Sequence, residues 1–455
     1  MKKNFIVFVA VLAAVALAMP AFAVDFKYGG LYRLRWQSND NLADGQDKDK
    51  GPGFDDNGNW FDQRLRMLFT FVASENLQLV THWEADTLWG RESSGAGRHG
   101  GGDIGADATN LEMKNVYLEF NVPNTPMRAK LGVQGATFLK GWMFADDFSG
   151  AVISTKLDPV KVTLGYVAAQ NNDVTTTNEN VDDLFLALDY ANGPFTATLV
   201  GWYQYAHDTN LSTYPEMSTG TFVTSTTAVT DNNLFNLGLS LGYKTDMMVL
   251  GLTGIKNFGS YDLVGGGSQD YTGWMLEGMA DFMWDAWTFH LGAFYTSGDD
   301  DNVAAFDNAK DYDAFAYARG ASYYWSEILG LGLLDVNVAG SDHLNPKHQG
   351  AYRAADIPSN LWALNAGVVW KALPTTKLTL NYYYVATAED VLSDVSRGKE
   401  DNTVGHEINL YISQDLVDKL NLTLVGGYLF AEDAYTIYKD DDDAYELGAV
   451  LQWKF

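Results

Sequence analysis

The chain has 455 residues, 47% of them hydrophobic, and is rich in Gly (44), Tyr (25), Phe (24) and Trp (13) while holding no Cys. Without Cys there is no disulfide framework, thiolate metal site or Cys nucleophile. A formal net charge of −28 excludes a nucleic-acid partner, which needs cationic surface, and a mean hydropathy of −0.15 argues against a bundle of membrane-spanning helices.

The chain opens on a pattern of export. Lys2 and Lys3 precede an apolar run from Phe5 to Met19, and Ala21-Phe22-Ala23 places small residues at the two positions a signal peptidase reads. Residues 1–23 are therefore expected to be a signal peptide removed after Ala23. Beyond Val24 no run of 18 apolar residues occurs, so any insertion into a bilayer must use strands.

The remainder alternates with a period of two. Leu65, Met67, Phe69 and Phe71 share one face against Arg64, Arg66 and Thr70, and Val160, Val162, Leu164 and Tyr166 face away from Lys161, Thr163 and Gly165. Leu378, Leu380, Tyr382 and Tyr384, then Leu420, Leu422, Leu424, Tyr428 and Phe430, repeat the pattern. Candidate strands lie near 25–37, 60–73, 77–88, 111–121, 127–135, 148–157, 160–170, 182–191, 195–206 and 232–243. They continue near 247–257, 271–283, 287–297, 312–325, 328–339, 360–371, 377–388, 404–414, 420–431 and 444–455, with alternation patchy over 127–157 and 312–339. Segments of about ten residues suit a tilted strand crossing hydrocarbon, whereas soluble strands peak at about five or six.

Connections come in two alternating kinds. Short turns such as Ser74-Glu75-Asn76, Asp158-Pro159 and Lys244-Thr245-Asp246 alternate with long polar loops over 38–59, 87–110, 208–231, 298–311 and 389–403. Pro52, Pro123, Pro126, Pro159, Pro194, Pro215, Pro346, Pro358 and Pro374 all fall in these turns or loops, as a ladder without edges requires. The expected fold is all-β, an antiparallel up-and-down transmembrane barrel of 16 to 20 strands over residues 24–455, with periplasmic turns and extracellular loops. Tyr203, Tyr205, Tyr382, Tyr384, Tyr428 and Phe430 at loop ends, and Phe195, Trp287 and Trp453 at turn ends, match two interfacial girdles.

The last segment is the most specific. Leu447, Ala449, Leu451, Trp453 and Phe455 share one face opposite Gly448, Val450, Gln452 and Lys454. This resembles the terminal strand of bacterial outer-membrane proteins, and the resemblance implies that Trp453 and Phe455 are an assembly signal read by the barrel-assembly machinery. The whole chain resembles a bacterial outer-membrane porin, similar in length and loop pattern to the homotrimeric porins of sulfate-reducing bacteria. That resemblance implies a homotrimer in outer-membrane lipid and lipopolysaccharide, passing ions and small hydrophilic solutes. In general porins a loop after the fifth strand folds inward and sets carboxylates against an arginine cluster. The matching stretch here is Gly135 to Asp147 with Asp146 and Asp147, although the acidic loop motif of the enteric porins is not spelled out.

A wide barrel encloses water, and inward charges then govern selectivity. The polar faces place Arg33 and Arg35, Arg64 and Arg66, and Arg128 and Lys130 inward with Glu84, Asp86 and Glu119, and the i, i+2 spacing stacks each basic pair on one wall. The ordinary alternative is a set of solvated charges paired with one another. No catalytic constellation is found among the seven His, and the Gly100–Gly102 and Gly265–Gly267 runs precede no helix, so neither cradles phosphate. His343 and His348 beside Asp342 lack a ligand spacing. Asp299–Asp301 and Asp440–Asp443 are dense enough to attract loop-bound Ca²⁺ yet lack EF-hand spacing; no other cofactor is expected. The rival reading is a secreted β-rich surface hydrolase or adhesin, which would need a catalytic or ligand cluster.

Overall fold

The computed structural model describes residues 24–40, 57–91, 100–105, 110–171, 180–207, 212–218, 221–227, 229–263, 267–299, 311–330, 332–334, 357–394, 399–435 and 443–455. Residues 1–23, His343, His348, Asp300, Asp301 and Asp440–Asp442 lie outside this set. The first half of the wall is formed by β1 (Asp25–Asp40), β2 (Asn57–Ser74), β3 (Leu77–Leu88), β4 (Glu112–Asn121), β5 (Met127–Phe138), β6 (Phe144–Leu157), β7 (Val160–Asn171), β8 (Asn180–Asn192) and β9 (Phe195–His207). Two short strands, β10 (Ser212–Ser218) and β11 (Thr221–Thr227), pair only with each other in the following connection, so Pro215 lies outside the barrel wall. The second half comprises β12 (Val229–Lys244), β13 (Met248–Leu263), β15 (Trp274–Trp284), β16 (Trp287–Thr296), β17 (Leu361–Leu373), β18 (Thr376–Asp394), β19 (Lys399–Val417), β20 (Leu420–Ala431) and β21 (Ala444–Lys454), with the three-residue β14 (Ser268–Asp270) on the flank of β13.

Each of the eighteen long strands pairs antiparallel with its neighbours, and β21 returns to β1, closing the ring. Closure removes every edge, the condition under which strands can reside in lipid. Phe455 completes the seam, donating its N–H to the Gly30 carbonyl at 3.1 Å and accepting from Gly30 N–H at 3.0 Å. A Cβ on Gly30 would stand 2.4 Å from the Arg66 carbonyl oxygen and 2.5 Å from the Phe455 ring, so the missing side chain makes room both for the neighbouring strand and for the terminal aromatic.

The alternation sorts side chains by solvent. On β21, Leu447 and Trp453 are 47% and 45% exposed while Glu446 and Val450 are 1% and 3% exposed, because the first pair faces outward and the second faces the lumen. The same holds for outward Leu237, Leu239 and Leu241 of β12, and for Leu276 and Phe282 of β15. Trp287 and Trp370 stack across β16 and β17, and Phe195 meets Tyr243 across β9 and β12, near the turn end. An apolar outer surface of this extent is the inverse of a soluble protein and is the surface that hydrocarbon solvates.

Two of the twenty expected strands are not strands over their described residues. Residues 312–325 and 328–339 were expected to cross the membrane, but those described run as irregular chain inside the barrel, with Phe315, Ala316, Ala318, Ile328 and Leu334 buried against the wall. The physical reason is satisfaction of their backbone by side chains instead of a ladder. Asn257 of β13 takes both polar groups of Ala316, Glu407 of β19 accepts from the Ile328 and Leu329 N–H groups at 2.8 and 3.1 Å, and the Tyr383 hydroxyl donates to the Trp325 carbonyl. The other eighteen segments correspond to the wall.

Candidate functional site

The lumen is narrowed from one side by the tip of the β5–β6 hairpin. Gly132 sits at φ 130° with its α-carbon facing the Val116 carbonyl, a position where a Cβ would come within 2.3 Å of that oxygen. Ladder pairing of β4 with β5 stops at Val133, whereas β5 and β6 stay paired up to Phe138 and Phe144. The hairpin therefore peels from β4 and carries Leu139–Gly141 across the lumen. Leu139 reaches Gly238 of β12, and the Lys140 ammonium lies 3.0 Å from the Glu277 carboxylate of β15. The crossing is stiffened by rings, since Phe144 and Phe185 both stack on Trp202, at 4.8 and 5.1 Å between centroids.

The inserted segment from Tyr312 to Leu334 meets this tip. Gly320 and Gly141 carbonyls accept from the Ala145 and Ser322 N–H groups at 2.7 and 3.0 Å. Trp142 stacks on Tyr323 with centroids 4.0 Å apart. Farther on, the Leu333 and Leu334 N–H groups donate to Glu327 at 2.9 and 2.7 Å, and the Arg35 guanidinium donates to the Leu334 carbonyl. Burial pushes the Glu327 carboxyl above its ordinary range, opposed by those backbone donors, by the Tyr411 hydroxyl and by Arg35.

The wall from β1 to β5, which both insertions touch, carries the predicted charges, in pairs set by register. Arg35 binds Asp62 through Nε at 3.0 Å, and Arg33 lies 3.8 Å from the same carboxylate. Arg64 and Asp86 are direct cross-strand partners joined by two bonds of 2.7 Å. Arg66 pairs with its cross-strand partner Glu84, which also lies 3.5 Å from Arg64 and 3.9 Å from Lys114. Glu119 accepts from Arg128 at 2.5 Å and from Gln78 at 2.6 Å, while the Lys130 ammonium sits 5.2 Å from the centre of the Tyr117 ring.

Asp146 and Asp147 occupy the hairpin in different roles. Asp147 binds Lys114 at 3.1 Å and accepts from Asn115 at 2.8 Å, so it ties the back of the hairpin to the charged wall. Asp146 is exposed and accepts from the Asp147 N–H. Below the tip a cavity of about 410 Å³ is lined by Arg128, Lys130, Lys140 and Lys161 with Glu119 and Asp189, over a floor of Phe148 and Phe185. Glu277, Lys140 and the whole 312–334 insertion were not singled out from sequence. Only the patchy alternation of 312–339 signalled the insertion, and nothing local marks the partner of Lys140. Asp443 spends its oxygens on the Tyr428 hydroxyl and the Ala431 N–H.

No protein-family model matches the chain, and no curated protein matches it. Among solved structures, OccK1 (OpdK) of Pseudomonas aeruginosa aligns with a TM-score of 0.57 at 11% identity, covering 95% of this chain and 98% of that one. OccK11 (OpdR) of the same organism gives 0.53 at 12% identity, covering 95% and 96%, and its OpdQ gives 0.54 at 12%, covering 95% and 98%. The chain thus shares, end to end, the barrel fold of these Pseudomonas aeruginosa proteins.

Proposed function

We propose that this chain is an outer-membrane porin, a water-filled channel for passive diffusion of ions and small hydrophilic solutes, and not an enzyme. The observation that carries the reading is a closed eighteen-strand wall, apolar outside, whose lumen sets an ion-paired face from β1 to β5 against two inserted segments. A wall of this circumference cannot be filled by its own side chains. Charges held on both sides of a narrowing act on any ion that has shed part of its hydration there. The constriction set is Arg33, Arg35, Arg64, Arg66, Arg128 and Lys130 with Glu119, Asp146 and Asp147, extended by Glu84, Asp86 and Lys114.

Export with removal of residues 1–23 and assembly through Trp453 and Phe455 belong to the same reading. So does a homotrimer set in outer-membrane lipid and lipopolysaccharide, as in the porins of sulfate-reducing bacteria that the sequence resembles. The test is swelling of liposomes carrying the folded protein in isosmotic solutes of rising size. Small sugars and amino acids should enter at rates that fall steeply with size. Folded protein that admits none of them would overturn the reading.

A further inference from the structure

The tip of the β5–β6 hairpin is held in a conformation that its own residues oppose. Leu139, Lys140 and Gly141 have φ of 50°, 59° and 99°, the left-handed region in which a Cβ crowds the following carbonyl. Two of the three carry side chains. Such a run persists only where the surroundings over-determine it, and here the determinants stand on the far wall. Leu139 sits over Gly238, where an added Cβ would be 2.3 Å from Leu139 Cδ1. The Lys140 ammonium passes beside Gly251 of β13, whose added Cβ would stand 3.6 Å from Nζ. Glu277 then uses a single oxygen, Oε1, for two partners: Lys140 Nζ from the hairpin at 3.0 Å and the Tyr323 hydroxyl from the inserted segment at 2.9 Å.

Resting on the porin reading, we infer that Glu277 is the latch of the constriction, a positioning residue that fixes the width of the opening by pinning both inserted segments to β15. Without it the strained tip has no charge partner on the far wall and relaxes toward ordinary φ. The Trp142–Tyr323 stack loosens with it. Width is then set by a pairing between elements far apart in sequence, so the opening is an assembled part and the wall alone does not define it.

The test is single-channel recording in planar bilayers of wild type, Glu277→Gln, Lys140→Gln and the exchanged pair Lys140→Glu with Glu277→Lys, each confirmed as folded by heat-modifiable migration. Asp281→Asn removes another lumen acid of β15, one bound to His290 at 2.5 Å, and controls for loss of charge alone. Each single latch variant should show a limiting conductance raised roughly twofold with frequent flicker, because the narrowest section governs passage. The exchanged pair should return both to wild-type values, and Asp281→Asn should leave the flicker unchanged. Should Glu277→Gln fail to fold, Lys140→Gln, at the half-exposed hairpin tip, carries the same expectation. Unchanged single variants overturn the latch, as do raised variants that the exchange does not rescue. A folded wild type that passes no current overturns the porin reading itself, an outcome distinct from failure of the latch.

Discussion

Glu84 is the point on which the charged wall converges, with Arg66, Arg64 and Lys114 around a carboxylate only 1% exposed. Removing one member of a buried pair costs about 3–5 kcal/mol in a dry interior, and the half-exposed Arg66 reduces that here. Glu84→Gln should therefore lower stability by roughly 1–3 kcal/mol, read as an earlier urea midpoint for the folded barrel in detergent. It should also move the reversal potential in a salt gradient toward anions. Arg64→Gln with Arg66→Gln should move it toward cations, since Asp86 and Glu84 then lose the two guanidinium charges beside them. An unchanged potential in both variants would place this wall away from the conduction path. The orientation of these residues was legible from the i, i+2 spacing, but their pairing was not, because it depends on the β2–β3 register that sets Arg64 opposite Asp86. Gly132 acts at the same scale. Alanine there would drive its Cβ against the Val116 carbonyl at positive φ, so Gly132→Ala should lower stability by roughly 1–3 kcal/mol and disturb conductance through the displaced hairpin.

At the scale of elements, the last strand and the inserted segment behave oppositely toward prediction. The last strand was legible because its two faces meet different solvents, and Leu447, Trp453 and Val450 record that difference directly. Its terminus should also matter in assembly: deleting Phe455, or filling its seat by Gly30→Val, should reduce the heat-modifiable fraction in cells without changing synthesis. Undiminished folding of both variants would show the seam to be incidental. The segment from Tyr312 to Leu334 was misread because the burial of an irregular chain packed inside the barrel follows its own contacts and carries no sustained period of two. Its partners, Asn257, Glu407 and Tyr383, belong to distant strands that no local pattern points to. Its docking should depend on pH through Glu327. A carboxyl raised by burial binds its proton more tightly when docked, so its contribution is full below the undocked pKa and is lost as pH rises through the docked value. Acidification should therefore strengthen docking, seen as longer protection of this segment from added protease in mildly acidic than in neutral buffer, and Glu327→Gln should shrink that difference.

The whole molecule sets opposite demands on its two surfaces. Outside, an apolar surface of leucines and aromatic rings needs hydrocarbon; inside, carboxylates and guanidinium groups need each other and water. A soluble enzyme or adhesin would have to hide the first surface, and this barrel turns it outward all the way round. The net charge of −28 resides largely outside the paired wall, and with a Debye length of about 8 Å at physiological ionic strength charge at the mouth is screened from the narrowing below. Selectivity should accordingly be weak and follow the wall residues. The central claim, that an aqueous path remains beside the hairpin and the inserted segment, is tested most directly by the current through folded wild-type protein in a planar bilayer of KCl. Discrete conductance steps, linear in voltage and uniform in size, are the predicted result. A silent bilayer after insertion of heat-modifiable protein would mean that the two segments seal the barrel, and would contradict the account.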